Sequence, residues 1–239
     1  MRDNSILVKG AEKIGIVLSE KQQQQFETYY DYLVSQNEVM NLTAITEYEE
    51  VLTKHFLDSL FLAKTMKDFD GKKVIDLGTG AGFPGLPLKI FDESLDVTLM
   101  DSLNKRINFL NEVIDALELD GIETVHSRAE DLGKNKDYRE KYDICISRAV
   151  ANLATLSELC LPFVKVGGYF ISMKGPKAEE ELSCAKKAIK LLGGEFEEIK
   201  NYAIDETDFD HNLVIIRKVS STPSKYPRNA PKPAKEPLV

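Results

Sequence analysis

The run Val74-Ile75-Asp76-Leu77-Gly78-Thr79-Gly80-Ala81-Gly82-Phe83-Pro84 sets a strand, a glycine turn and a proline-marked helix start in succession. That order builds a cradle for a nucleotide-like ligand. Glycines reach positive φ and admit a ligand close to the main chain, and a helix N-terminus offers unpaired N–H groups. Asp76 would sit badly beside a pyrophosphate but suits a cationic ligand, and S-adenosylmethionine carries a sulfonium and an ammonium group. Asp101 ends the next strand-like run, where an acid accepts hydrogen bonds from both ribose hydroxyls. Ala129-Glu130 follows a third run, where a methyltransferase reads the adenine edge. Gly80-x-Gly82-x-x-Gly85 also matches the dinucleotide fingerprint, which makes an NAD(P)-dependent oxidoreductase the rival. The register favours S-adenosylmethionine, because the strand ends by Leu77 and the first tight-turn glycine is Gly78. Each signal has a plainer reading: a ligand-free turn, Asp101 capping a helix, or Glu130 as a first-turn acid favoured by the helix dipole.

The rest of the chain must supply the elements that hold these groups. At 239 residues, with 43% hydrophobic and 29% charged, the chain is long enough for one α/β domain with an extension. No apolar run approaches the roughly 20 residues of a membrane span, and the N-terminus lacks a secretory h-region, so a cytoplasmic, membrane-free protein is expected. The three cysteines (Cys145, Cys160, Cys184) and three histidines are scattered, which predicts neither a disulfide framework nor a metal site. Residues 1–67 carry helical periodicity. Ser19 caps a helix with Phe26, Tyr29, Tyr30, Leu33 and Val34 on one face, and after the Asn41-Leu42-Thr43 turn a second stripe runs Val51, Leu52, Phe56, Leu60 and Ala63.

From Lys73 the period changes. Strands are predicted at 73–77, 97–101, 123–127, 142–147 and 169–173, with a helix from Ser102 and another over 178–192. Runs at 195–203 and 211–218 predict an antiparallel edge pair, with no helix after them. The domain reading is a helical cap over 1–67, a Rossmann-like sheet over 68–219 and a tail over 220–239. Residues 217–239 carry six basic groups against Glu236, so the rest of a chain with net charge −8 is more acidic still. Five of the nine prolines lie between Pro223 and Pro237, which predicts a disordered tail that could touch nucleic acid locally.

Asn41-Leu42-Thr43-Ala44-Ile45, Lys54-His55-Phe56-Leu57-Asp58-Ser59-Leu60, the glycine run through Gly85, Asp101-Ser102-Leu103-Asn104-Lys105-Arg106, Ser127-Arg128-Ala129-Glu130, Ser147-Arg148-Ala149-Val150 and Thr222-Pro223-Ser224-Lys225-Tyr226-Pro227-Arg228 together resemble, in order, the bacterial RsmG (GidB) family. The resemblance spans nearly the whole chain. It implies a Rossmann-like class I S-adenosylmethionine-dependent methyltransferase acting on N7 of one guanine in the decoding-region loop of 16S ribosomal RNA. Cofactor contacts would fall on Gly78, Phe83, Ala129, Glu130 and Arg148, besides Asp76, Gly80 and Asp101 read from the residues. Asn41, His55, Arg128 and Arg148 would border the reaction pocket. A monomer acting on the small ribosomal subunit is expected.

The residues tolerate that chemistry. Guanine N7 carries a lone pair, so methyl transfer needs alignment and desolvation but no general base. Ser147-Arg148-Ala149-Val150 stands where an exocyclic-amine methyltransferase would carry an Asp/Asn-Pro-Pro-aromatic motif. Cys145 lies within a strand, as a buried thiol rather than a nucleophile. Lys174 leaves a 2′-hydroxyl methyltransferase open. Arg148, at a strand C-terminus, suits a phosphate or a stacked base, or a plain surface ion pair. Taken alone, His55 reads as a satisfied core histidine and Asn41 as a backbone cap. A ribosome-assembly protein that binds without turnover is the rival from another class.

Overall fold

The switch from helical to strand periodicity near Lys73 divides the molecule into its layers. A computed structural model describes residues 2–65, 71–148, 150–204 and 211–238. The N-terminal region holds α1 (Ser5–Lys13), α2 (Glu20–Met40) and α3 (Tyr48–Val51), which runs through a π-helical segment (Leu52–Leu57) into α4 (Asp58–Thr65). Ser19 starts α2 as read from sequence, through a capping box with Gln22. Then follow β1 (Lys73–Leu77), α5 (Gly85–Phe91), β2 (Asp96–Asp101), α6 (Asn104–Ala116), β3 (Ile122–His126) and α7 (Ala129–Leu132). The chain continues with β4 (Tyr142–Arg148), α8 (Leu153–Cys160), β5 (Val164–Lys174), α9 (Ala178–Leu191), β6 (Gly194–Tyr202), β7 (His211–Lys218) and α10 (Lys232–Lys235). The boundary drawn at residues 67 and 68 lies outside the described residues.

The strands form one seven-stranded sheet in the order β3-β2-β1-β4-β5-β7-β6. β1 to β5 pair in parallel, and β7 inserts antiparallel between β5 and β6. Strand alternation divides the core. Val74, Ile144, Ile146, Leu213 and Ile215 face the N-terminal helices with α5 and α6. Ile75, Leu77, Cys145, Val214 and Ile216 face α8, α9 and the C-terminal segment.

Three sequence expectations need correction. Ser102 does not cap α6; Leu103 occupies that place without a side-chain cap, and the Leu103 N–H donates to Asp101 instead. A helix does follow β7, namely α10. The C-terminal segment is also packed rather than disordered. Prolines remove backbone donors but keep carbonyls, and Arg139 exploits them: its guanidinium donates to the carbonyls of Gly133, Thr222, Pro223 and Tyr226. Arg228 forks onto Glu158 of α8, with Nε–Oε1 at 2.8 Å and Nη2–Oε2 at 2.6 Å, while Tyr226 is buried in the second core.

Glu158 is fully buried, so Arg228→Ala would leave a core carboxylate with the backbone N–H of residue 228 but without its countercharge. The expected cost is about 3–5 kcal/mol, read as a lowered urea midpoint. An unchanged midpoint would show that the clasp contributes nothing to stability.

Candidate active site

Parallel pairing brings the C-terminal ends of β1 to β4 to one rim, and the strand order reverses between β1 and β4, where an open α/β sheet leaves a crevice. A cavity of about 490 Å³ lies there. Leu77 to Ala81 and Phe83 supply its floor. Met100, Asp101, Ser102 and Arg106 line it at and beyond the end of β2, Ser127 to Glu130 beyond β3, Arg148 and Val150 at and beyond the end of β4, and Leu42, Thr43 and His55 from the N-terminal region. Gly78, Gly80, Phe83, Asp101, Arg128, Ala129, Glu130, Arg148 and His55 therefore converge as read from sequence. Thr43, Ser102, Arg106 and Val150 also line the cavity and lie inside the quoted motifs without a ligand role there, while Met100 and Leu159 lie outside those motifs.

Asp76 departs from its expected role. Its Oδ2 accepts from the Thr79 hydroxyl at 2.7 Å and the Gly85 N–H at 2.9 Å, and the side chain is wholly buried outside the cavity lining. It shapes the turn instead of facing a cationic ligand. Burial raises its pKa to about 6, against the two hydrogen bonds, which lower it. Gly85 packs so closely on this carboxylate that an added Cβ would lie 2.9 Å from Oδ2. The third glycine of the apparent dinucleotide fingerprint is thus accounted for by packing.

Asp101 holds the other side of the turn. Its Oδ2 accepts from the Gly80 N–H at 3.0 Å and from Arg106 Nη1 at 3.2 Å, and its Oδ1 accepts from the Leu103 N–H at 2.9 Å. A carboxylate has about four lone-pair sites, so acceptor capacity is left toward the cavity. Gly78 and Gly80 adopt φ of +71° and +62°. A Cβ on Gly80 would meet nothing within 4 Å, which leaves open ground over the main chain.

The N-terminal helices close the cavity with aromatic rings. The Tyr29 hydroxyl donates to the Ala81 carbonyl. Phe83 lies between rings, with centroids 5.4 Å from Tyr29 and 4.5 Å from His55. The Arg148 guanidinium sits 4.9 Å from the Phe83 centroid, and its Nη1 pairs with Asp58 at 3.0 Å. That is a partly buried ion pair between sheet and helices rather than the surface pair considered from sequence.

His55 has both ring nitrogens engaged. Its Nε2 lies 2.9 Å from Thr43 Oγ1, which also accepts from the Ile45 N–H, and its Nδ1 lies 3.0 Å from the Lys54 carbonyl and 3.4 Å from Arg148 Nη2. Burial first, then the charge of Arg148, lower its pKa from 6.5 to about 4. Asn41 does not line the cavity; it is exposed and ends α2 at φ +51° and ψ +57°, the backbone role weighed for it. Lys174 is tied to Glu181 at 2.8 Å and to the Ala151 carbonyl, away from the cavity lining, which removes the residue that kept a 2′-hydroxyl enzyme open. Cys145 is buried in β4 and burial raises its pKa, as a structural thiol requires.

This sheet and glycine loop define the Rossmann-like fold of class I S-adenosylmethionine-dependent methyltransferases. TrmN from Thermus thermophilus shares it (TM-score 0.54, 16% identity, covering 70% of this chain and 53% of that one). So does TYW2 from M. jannaschii, solved in complex with AdoMet (TM-score 0.52, 15% identity, covering 68% and 77%). Residues 22–213 match the family described as GidB, rRNA small subunit methyltransferase G. A protein called "Ribosomal RNA small subunit methyltransferase G" from Lachnoclostridium phytofermentans is 55% identical over 239 residues, covering 100% of this chain and 99% of its own. A relative of the same name from Alkaliphilus oremlandii is 52% identical, covering 100% of both. The chain belongs to the rRNA small subunit methyltransferase G family, as the motif resemblance implied.

An NMR titration of His55 should show a neutral ring down to about pH 5, with a midpoint near 4. Since the unfolded chain takes up its proton near 6.5, this site removes stability as pH falls from 6.5 toward 4. A midpoint near 6.5 would contradict the buried network.

Proposed function

We propose that this chain transfers the methyl group of S-adenosylmethionine to N7 of one guanine in the decoding-region loop of 16S ribosomal RNA. It acts on the small ribosomal subunit or its RNA, in the cytoplasm, as a monomer and without a metal. The observation that carries the reading is the cavity at the ends of β1 to β4, where the positive-φ Gly80 lies bare beside Asp101, in a chain of this family. Gly78 and Gly80 would hold the cofactor along its main-chain side, Asp101 its ribose, and Ala129 and Glu130 its adenine. When bound, the cofactor supplies an electrophilic methyl group on a positively charged sulfur.

The protein's own groups then have to align and desolvate a base that already carries its lone pair. His55 suits that task. It is neutral with both nitrogens engaged, so beside Phe83 it offers an aromatic wall rather than a proton acceptor. Arg148 and the exposed Arg128 put guanidinium groups at the same cavity, fit to bind phosphate or to stack on a base.

Gly80→Ala would strain a left-handed backbone by roughly 1–2 kcal/mol and push a methyl over the cradle, so S-adenosylmethionine affinity should drop about tenfold in calorimetry. An unchanged Kd would take the loop out of the cofactor site. The defining experiment incubates the protein with methyl-labelled S-adenosylmethionine and small subunits lacking the modification, then maps label by N7-specific chain cleavage. Label at a single guanine is expected. Label at another RNA atom would overturn the N7 assignment, and cofactor binding without label would point to a binding protein.

A further inference from the structure

Behind Arg148 lies a carboxylate that the functional reading does not use. Asp58, the first residue of α4, is 3% exposed. Its Oδ2 accepts from Arg148 Nη1 at 3.0 Å, and its Oδ1 from the Tyr202 hydroxyl at 2.6 Å and from His211 Nδ1 at 3.1 Å. The donors come from the end of β4, the end of β6 and the start of β7, so a single carboxylate joins the helical region to three strands. Burial opposes ionisation of Asp58. The His211 hydrogen bond, the Arg148 charge and the Tyr202 hydroxyl outweigh it and hold the pKa below the ordinary carboxylate value.

The consequence falls on Arg148. Its side chain is long and samples many rotamers when free. Here its Nη1 edge is held by Asp58 and by the Lys54 carbonyl at 3.3 Å, and it sits against the Phe83 ring. That carbonyl belongs to the π-helical segment, a rare geometry that often marks functional sites. Two restraints from one helical segment and a third from the glycine loop thus fix one guanidinium at the cavity wall.

We infer that Asp58 is a positioning residue for methyl transfer: it holds the Arg148 guanidinium in one orientation at the reaction pocket, and Tyr202 and His211 steady the carboxylate from the edge hairpin. This rests on the reading of Arg148 as part of that pocket. Asp58 itself does not line the cavity and acts through the arginine.

The test pairs a spectroscopic with a kinetic readout on the whole chain. In protein labelled with 15N at arginine, Arg148, assigned by comparison with Arg148→Lys, should show separate Nη signals because the ion pair slows guanidinium rotation. Asp58→Asn should merge them. Single-turnover methyl transfer should fall roughly 10- to 100-fold in Asp58→Asn while the S-adenosylmethionine Kd changes less than about threefold. The same substitution made in an Arg148→Lys background should cost little more, since residues acting as one unit are not additive. Tyr202→Phe removes one donor without altering charge and should lower transfer about threefold by the same route. It serves in place of Asp58→Asn if that variant does not fold. Additive losses in the double variant, or Nη signals unchanged by loss of the Asp58 contacts, would overturn the inference. A wild-type chain that bound cofactor but transferred no methyl group would instead overturn the substrate reading, and the arginine spectra would then decide the role of Asp58.

Discussion

Two buried carboxylates hold the glycine turn open, and the rest of the site depends on that. A backbone with several positive-φ glycines has much conformational freedom to lose, and the Asp76 bonds to Thr79 and Gly85, with the Asp101 bond to Gly80, fix it. Once fixed, the turn becomes a docking surface for the helical region. A Cβ on Gly82 would lie 2.6 Å from the Tyr29 hydroxyl, so glycine is what allows α2 to bond the Ala81 carbonyl and Phe83 to lie among the rings of Tyr29, His55 and Phe56.

The parts of this arrangement legible in the sequence are those that follow one another locally. β1 and β7 begin and end at the expected residues, and the cavity floor follows β1 directly, so Gly78 and Gly80 are readable from spacing, while Phe83 rests on the family resemblance. Side-chain direction was less accessible. Asp76 shares its strand parity with Val74, which faces the helical layer, but so do the cavity-lining Asp101 with Leu99 and Arg148 with Ile146, so alternation alone does not separate a turn-holding acid from a cavity-lining residue. Asn41 lies in the right turn, but its left-handed backbone faces it away while Leu42 and Thr43 line the cavity.

What was not legible depends on partners far apart in the chain. Composition marks the C-terminal segment as disordered because prolines forbid ladders, yet Arg139 binds its carbonyls from more than 80 residues away. The contacts of Asp58 at Arg148, Tyr202 and His211 likewise have no local signature. The dinucleotide-like spacing is outweighed by register, since β1 ends at Leu77 and the first tight-turn glycine is Gly78. That spacing is local and literal, but Gly85 is small because Asp76 and Leu99 press on it.

The cavity draws its walls from the α2–α3 turn, the π-helical segment and the ends of four strands, so no single segment owns it. Any ligand that fills it ties those segments together and shares its binding free energy with the fold. At a hundred times its Kd such a ligand adds about 2.7 kcal/mol to unfolding. The ligand supply in a cell would then set the survival of the chain against proteases as well as its rate of work, and starvation for that ligand would appear first as a shorter protein lifetime.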